Sequence, residues 1–163
     1  MRSEAEVSEA IDTYADTIKR ICMVYLKNTV ETEDIFQTVF FKYATSTIQF
    51  DGTDHLKAWL IKITVNECKD VLKSFFRKRR VNLDDSIQVG QDDPPDYGWL
   101  YHALSELPSN YRMVLYLLFY EGYTANEIAT IMHQKTNTIY TWINRAKAQL
   151  KDVLVKEGYE GDL

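Results

Sequence analysis

The chain is poor in residues that break helices and in residues that bind metals. Three prolines and six glycines are spread over 163 residues, and two of the prolines are adjacent at Pro94 and Pro95. Long stretches are therefore free to be helical. The two cysteines and three histidines are scattered, with no CxxC pair and no Cys/His spacing suited to a zinc site. No metal site and no cofactor are expected. Cys22 and Cys68 sit inside apolar helical patterns, which predicts buried free thiols in a reducing cytoplasm. No apolar run approaches the roughly 18 residues of a membrane-spanning helix, so membrane insertion is not expected. The acidic start, Met1 to Glu9, lacks the apolar stretch of a secretory leader. A phosphate-binding glycine loop is missing, as is a nucleophile with a paired base, so an enzyme is not expected.

The net charge of −5 looks wrong for a protein that binds nucleic acid, but the charge is unevenly placed. Residues 81–97 hold five aspartates and no lysine or arginine, which accounts for the whole excess. Elsewhere two segments are locally basic. Lys73-Ser-Phe-Phe-Arg-Lys-Arg-Arg80 carries five cations, and Lys135, Arg145, Lys147 and Lys151 occur near the C-terminus. Screening over about 8 Å at physiological salt makes a nearby phosphate respond to these patches rather than to distant acids.

The acidic segment, with two prolines and a glycine, also reads as a linker between two helical parts. In the first part, Ile11, Tyr14, Ile18, Ile21 and Tyr25 predict a helix over 5–27. Thr32 is the expected cap of the next helix, with Glu33 and Asp34 in its first turn. Ile35, Phe36, Val39, Phe40 and Tyr43 form its apolar side. Residues 49–55 form a turn around Gly52, followed by a helix over about 56–79. Its apolar stripe is Ile61, Val65, Cys68, Leu72 and Phe75. Lys62, Asn66, Lys69, Lys73 and Arg77 fall opposite, a row that could follow a phosphate backbone or be an ordinary solvated face.

The second part predicts helices over 98–106 and 109–121, with Pro108 before the second and Gly122 stopping it. Thr124 followed by Glu127 is a capping box. Ile128, Ala129 and Met132 share one face. A polar break at 133–136 precedes a helix starting near Asn137 or Thr138, with Ile139, Ile143, Ala146 and Leu150 buried. Two short helices around a tight turn form a helix–turn–helix, a device that presents its second helix to a DNA major groove.

Three segments, in order, resemble the sigma-70 family of RNA polymerase initiation subunits, of the extracytoplasmic-function type. Glu33-Asp-Ile-Phe-Gln-Thr-Val-Phe40 is similar to the family's acidic-D-L-x-Q-x-x-F run. Phe50 with Ala58-Trp-Leu-Ile-Lys-Ile-Thr-Val-Asn-Glu-Cys-Lys-Asp70 is similar to F…A-W-L-x-x-I-A-x-N-x-x-x-D. Ala103-Leu-Ser-Glu-Leu-Pro-Ser-Asn-Tyr-Arg-Met-Val-Leu115 is similar to A-L-x-x-L-P-x-x-x-R-x-V-L, continued by Asn126-Glu-Ile-Ala129. The resemblance covers about residues 10–155. It implies an all-α chain of two small helical domains: a sigma-2 domain over 5–80 and a four-helix sigma-4 domain over 98–156, joined by the acidic linker 81–97. As a negative segment in a basic RNA channel, that linker would mimic nucleic acid.

The resemblance also implies partners and sites. Core RNA polymerase would be bound through the β′ clamp and the β flap, with Glu33, Asp34 and Gln37 on the clamp. Promoter DNA would be read at the −10 element by a loop pocket at 51–55, including Asp51, Asp54 and His55, and by Asn66, Lys69, Lys73 and Arg77. The −35 element would meet Asn137, Thr138, Tyr140, Thr141, Arg145 and Lys147. Tyr140 and Trp142 stand where relatives have lysine and arginine, which removes bidentate guanine readout. His133 replaces a glycine common at the turn. An anti-sigma partner is implied too, and the surface around Phe36, Phe40 and Phe41 is one candidate for it. A stand-alone helix–turn–helix regulator is the alternative reading; it leaves the Asp34–Gln37 run without a role.

Overall fold

The computed structural model describes residues 1–81 and 98–158. They form two compact units, and no strand occurs among the described residues. The expected linker, apart from Val81, lies outside the described residues.

The first unit is three helices: α1 (Glu4–Leu26), α2 (Thr29–Thr45) and α3 (Thr53–Val81). Ser3 and Glu6 fix the start of α1 as a reciprocal pair. The Ser3 hydroxyl accepts from the Glu6 amide at 3.1 Å, and the Glu6 carboxylate accepts from the Ser3 amide at 2.9 Å. Lys27 ends the helix in the left-handed conformation, φ 57°. Asn28, not Thr32, caps α2, its side-chain oxygen accepting from the Glu31 amide at 3.0 Å. Thr32 is buried one turn inside, where its hydroxyl donates to the Asn28 carbonyl at 2.7 Å. The earlier cap wins because asparagine caps at least as well as threonine and Thr32 can satisfy its hydroxyl within the helix. Glu33 and Asp34 consequently lie inside the helix, past its first turn, in which Glu31 is the acid nearest the positive end.

Ile18, Ile21, Cys22, Leu26, Val39, Leu60, Ile61, Val65 and Cys68 fill the core between these helices. Each large apolar side chain so buried contributes about 1.5–3 kcal/mol. All six residues from Ile21 to Leu26 are buried. The last turns of α1 are therefore enclosed on every side, as befits a helix packed against both α2 and α3.

The second unit comprises α4 (Gly98–Ser105), α5 (Ser109–Leu115), a π-helical turn over Tyr116–Tyr120, α6 (Ala125–Met132) and α7 (Thr136–Lys156). Arg112 is buried and donates to the Leu107 carbonyl at 2.5 Å, closing the turn that Pro108 opens. The expected single helix over 109–121 changes to π geometry at Tyr116. Leu117 stays in the core while Phe119 and Tyr120 face solvent. Gly122, φ 78°, ends the segment as expected.

Candidate nucleic-acid interface

The helix–turn–helix forms as its sequence predicts. Thr124 accepts from the Glu127 amide at 3.2 Å and Glu127 accepts from the Thr124 amide at 3.0 Å. His133 takes the left-handed conformation, φ 54°, and caps α6 in the place of a glycine. α7 begins at Thr136, slightly earlier than expected. Ile139, Ile143, Ala146, Leu150 and Leu154 are its buried stripe. Opposite that stripe, by helical spacing, stand Asn137, Thr141 and Asn144, all exposed.

Thr138 and Arg145 flank this row on one side; Tyr140 and Lys147 flank it on the other. Tyr140 is exposed, whereas Trp142 is half-buried. The Thr141 hydroxyl donates to the Asn137 carbonyl at 3.0 Å, so in this geometry it can only accept from a base. No acid occurs in the first turn of α7, leaving its positive end open to phosphate. Lys147 is turned away from that end. Its ammonium lies 5.4 Å from the centre of the Phe119 ring.

In the first unit, α3 starts at Thr53 rather than near residue 56, so Asp54 and His55 are already helical. His55 Nδ1 accepts from the Asp51 amide at 3.0 Å, closing the turn. Its ring meets Phe50 edge-on at 5.0 Å, and Phe50 meets Trp59 edge-on at 5.5 Å. Trp59 is half-buried and belongs to this aromatic cluster. Asp51 and Asp54 are exposed carboxylates, suited to base amino groups and unsuited to phosphate.

Beyond the turn, His55, Trp59, Lys62, Asn66, Lys69, Lys73 and Arg77 share one face of α3 by helical spacing. Glu67, about 100° round the helix from Asn66, pairs with Lys42 of α2 at 2.5 Å. Partial burial holds the Lys69 ammonium below its usual pKa, and Lys73 pushes the same way; Asp70 opposes them.

The face of α2 away from the core holds Glu33, Asp34 and Gln37, all exposed. It also holds two apolar residues that sequence reasoning did not place there. Val30 is 70% exposed and Phe41 67%. They stand at i, i+3, i+4, i+7 and i+11 with the three polar residues, one continuous stripe. The three phenylalanines expected to form one surface are divided. Phe40 is buried, and Phe36 packs on it at 4.8 Å beneath the Lys19 ammonium. Only Phe41 faces out; its position, two turns after Asp34, was the available signal.

These features define a two-part helical protein with a helix–turn–helix in its second part and a cationic helix face in its first. Residues 10–88 match the family described as Sigma-70 region 2, and residues 97–150 match Sigma-70, region 4. RNA polymerase sigma factor SigV of Bacillus subtilis (strain 168) is 30% identical over 158 residues, covering 95% of each chain. ECF RNA polymerase sigma factor SigW of the same organism is 25% identical, covering 90% of this chain and 88% of its own. The sigma factor RpoE, solved in complex with the anti-sigma factor NepR from Bartonella quintana, has the same fold. The TM-score is 0.74 at 20% identity, over 91% of this chain and 96% of that one. The chain belongs to the sigma-70 family and, within it, to the extracytoplasmic-function type. A match through both regions leaves the stand-alone regulator without support.

Proposed function

We propose that this sigma factor binds core RNA polymerase through the exposed stripe of α2 and directs initiation by reading a −10 element with the first unit and a −35 element with the second. The observation that carries the reading is the one face of α3 that runs from His55 to Arg77, half-buried at Trp59 and exposed at Lys73 and Arg77. There an aromatic-lined turn, Phe50, His55 and Trp59, leads into Lys62, Lys69, Lys73 and Arg77. Unpaired bases stack on aromatic rings while cations track the backbone, so this order of residues suits a strand being opened.

On α2, Asp34 and Gln37, with Glu33 at the edge, form a polar patch between Val30 and Phe41. An apolar anchor beside polar contacts is the usual anatomy of a protein–protein interface. On α7, Asn137 and Thr138 are the first candidates for base contact, and Arg145 for phosphate. Tyr140 offers a ring edge in place of a lysine ammonium, which favours thymine methyl groups and groove shape over guanine. The same α2 stripe suits an anti-sigma partner, which would silence the protein by covering Phe41 and Val30.

Transcription with purified bacterial core polymerase and a pool of promoter fragments from the source genome tests the reading. The expected result is discrete transcripts starting downstream of a shared two-part motif. Failure to bind polymerase at all would overturn it.

A further inference from the structure

Residues 46–52, which join α2 to α3 and deliver Asp51 to the reading turn, pack mainly through Phe50, against Tyr43, His55 and Trp59. Thr47, Ile48, Gln49 and Asp51 are exposed. A hollow of about 280 Å³ is lined by Ser46–Gln49 together with Met1, Arg2 and Glu6. Hydrogen bonds within the segment are sparse: Ile48 donates from its amide to the Ser46 hydroxyl at 3.1 Å, and Ser46 donates to the Tyr43 carbonyl at 3.2 Å.

The far end of the segment is held by the hydrogen bond from the Asp51 amide to His55 and by Phe50, and its middle is bridged by Arg2. The Arg2 amide donates to the Ala44 carbonyl at 2.8 Å. Its Nε donates to the Tyr43 carbonyl at 3.1 Å, and a terminal guanidinium nitrogen donates to the Ile48 carbonyl. The same guanidinium lies 4.6 Å from the centre of the Tyr43 ring and 5.1 Å from that of Phe50. Tyr43 and Ala44 are in the last turn of α2, where carbonyls lack helical partners and a cation meets the negative helix end. Arg2 thus ties the end of α2, the middle of the segment and the aromatic cluster together. Only a planar fork can reach two carbonyls while stacked on rings; an ammonium cannot.

We infer that Arg2 is a positioning residue for −10 recognition: it holds the 46–52 segment in its reading geometry before DNA arrives. The inference rests on the proposed −10 role of the turn. Holding the segment in advance lowers the ordering cost of binding and preserves discrimination between correct and incorrect bases.

Two measurements on the full-length chain test it. In the free protein, Arg2→Ala should raise amide exchange of residues 47–52 about tenfold while α1–α3 remain protected. In holoenzyme, Arg2→Ala should leave polymerase affinity unchanged and cut the preference for the intact −10 element over its single-base variants by about tenfold. Arg2→Lys, which keeps the charge without the fork, should behave like Arg2→Ala in both. Unchanged exchange at 47–52 overturns the clamp. Full recovery by lysine also overturns it, assigning the effect to charge alone. A uniform loss on all promoter variants with a shallower salt dependence makes Arg2 a phosphate contact instead. If exchange rises but wild-type holoenzyme shows no −10 preference, the −10 reading of the turn is what fails, and Arg2's role in recognition fails with it.

Discussion

Lys42 Nζ on α2 meets Glu67 Oε1 on α3 at 2.5 Å, beside the cationic face of α3. The bridge neutralises a carboxylate one position after Asn66 and about 100° further round α3. Lys42 is about half exposed, so the pair contributes little to stability, about 0–1 kcal/mol. Its larger effect is on the local field. Lys42→Ala should weaken binding of a single-stranded −10 oligonucleotide by about 2–5-fold, because the released Glu67 repels the strand. Glu67→Gln in the same background should restore affinity. Fluorescence anisotropy at low and physiological salt checks both; equal affinity in all three proteins would leave the bridge without electrostatic influence on the face.

Removing cations one at a time from α3 should show which of them meets the strand. Each of Lys69→Gln, Lys73→Gln and Arg77→Gln should lower the slope of log affinity against log salt by about 0.7, the value for one phosphate on a single strand. Neutralising Lys19, whose ammonium lies 4.9 Å from the Phe36 ring, should leave the slope unchanged. A variant on α3 that loses affinity without changing the slope would be acting through the fold.

The division of α2 into core and docking sides yields a pair of opposite outcomes. Phe41→Ala should leave thermal stability within about 0.5 kcal/mol of the parent, since the side chain is already in water. It should weaken polymerase binding by at least about tenfold if it is the apolar anchor of the Asp34–Gln37 patch. Phe40→Ala, one residue earlier and buried, should cost about 3–5 kcal/mol of stability. Urea denaturation and a polymerase pull-down with purified subunits separate the two effects.

Much of this arrangement was legible from spacing. The stripes Ile61–Val65–Cys68–Leu72 and Ile139–Ile143–Ala146–Leu150 are buried as their helical period requires. The capping box at Thr124 and Glu127 and the stop at Gly122 are local rules that tertiary packing does not override. Misses occurred where two local solutions competed. Asn28 and Thr32 both suit a cap, and period alone cannot choose between them. The π turn at Tyr116–Tyr120 was invisible because its apolar pattern fits an α-helix equally well. Phe41 was grouped with Phe36 and Phe40 because hydrophobicity by itself does not say which side of a helix faces a partner. Arg2 escaped notice because its contacts lie more than 40 positions along the chain.

His133 holds a left-handed conformation that costs most residues about 1–2 kcal/mol. His133→Gly should therefore raise stability by up to about 1 kcal/mol, and His133→Val should lower it, with no loss of the α6 cap in the glycine variant. His133 is exposed, so the change removes little packing. Thermal melts of the full chain, read by the transition of the second unit, check the sign. A glycine variant less stable than the parent would mean that the histidine ring makes a contact worth more than the backbone strain.

Cys22 and Cys68 are both fully buried, with their sulfurs 3.9 Å apart and the Cys68 thiol donating toward Cys22. Burial pushes the Cys68 thiol well above its ordinary value of 9.0, and the hydrogen bond to Cys22 adds to the shift. The folded chain therefore keeps this proton after the unfolded chain has released it. Stability from this group is fully present below pH 9, the unfolded value, and falls as pH rises beyond it. The steepest fall one group can impose is about 1.4 kcal/mol per pH unit. Urea unfolding at pH 7, 9 and 10 should show the parent losing more stability above pH 9 than Cys68→Ala, even though the alanine variant is less stable at pH 7. The comparison cancels tyrosine and lysine titrations common to both proteins. Parallel curves would mean that the thiol ionises as readily in the folded core as in the unfolded chain, and that the core between α1 and α3 admits water.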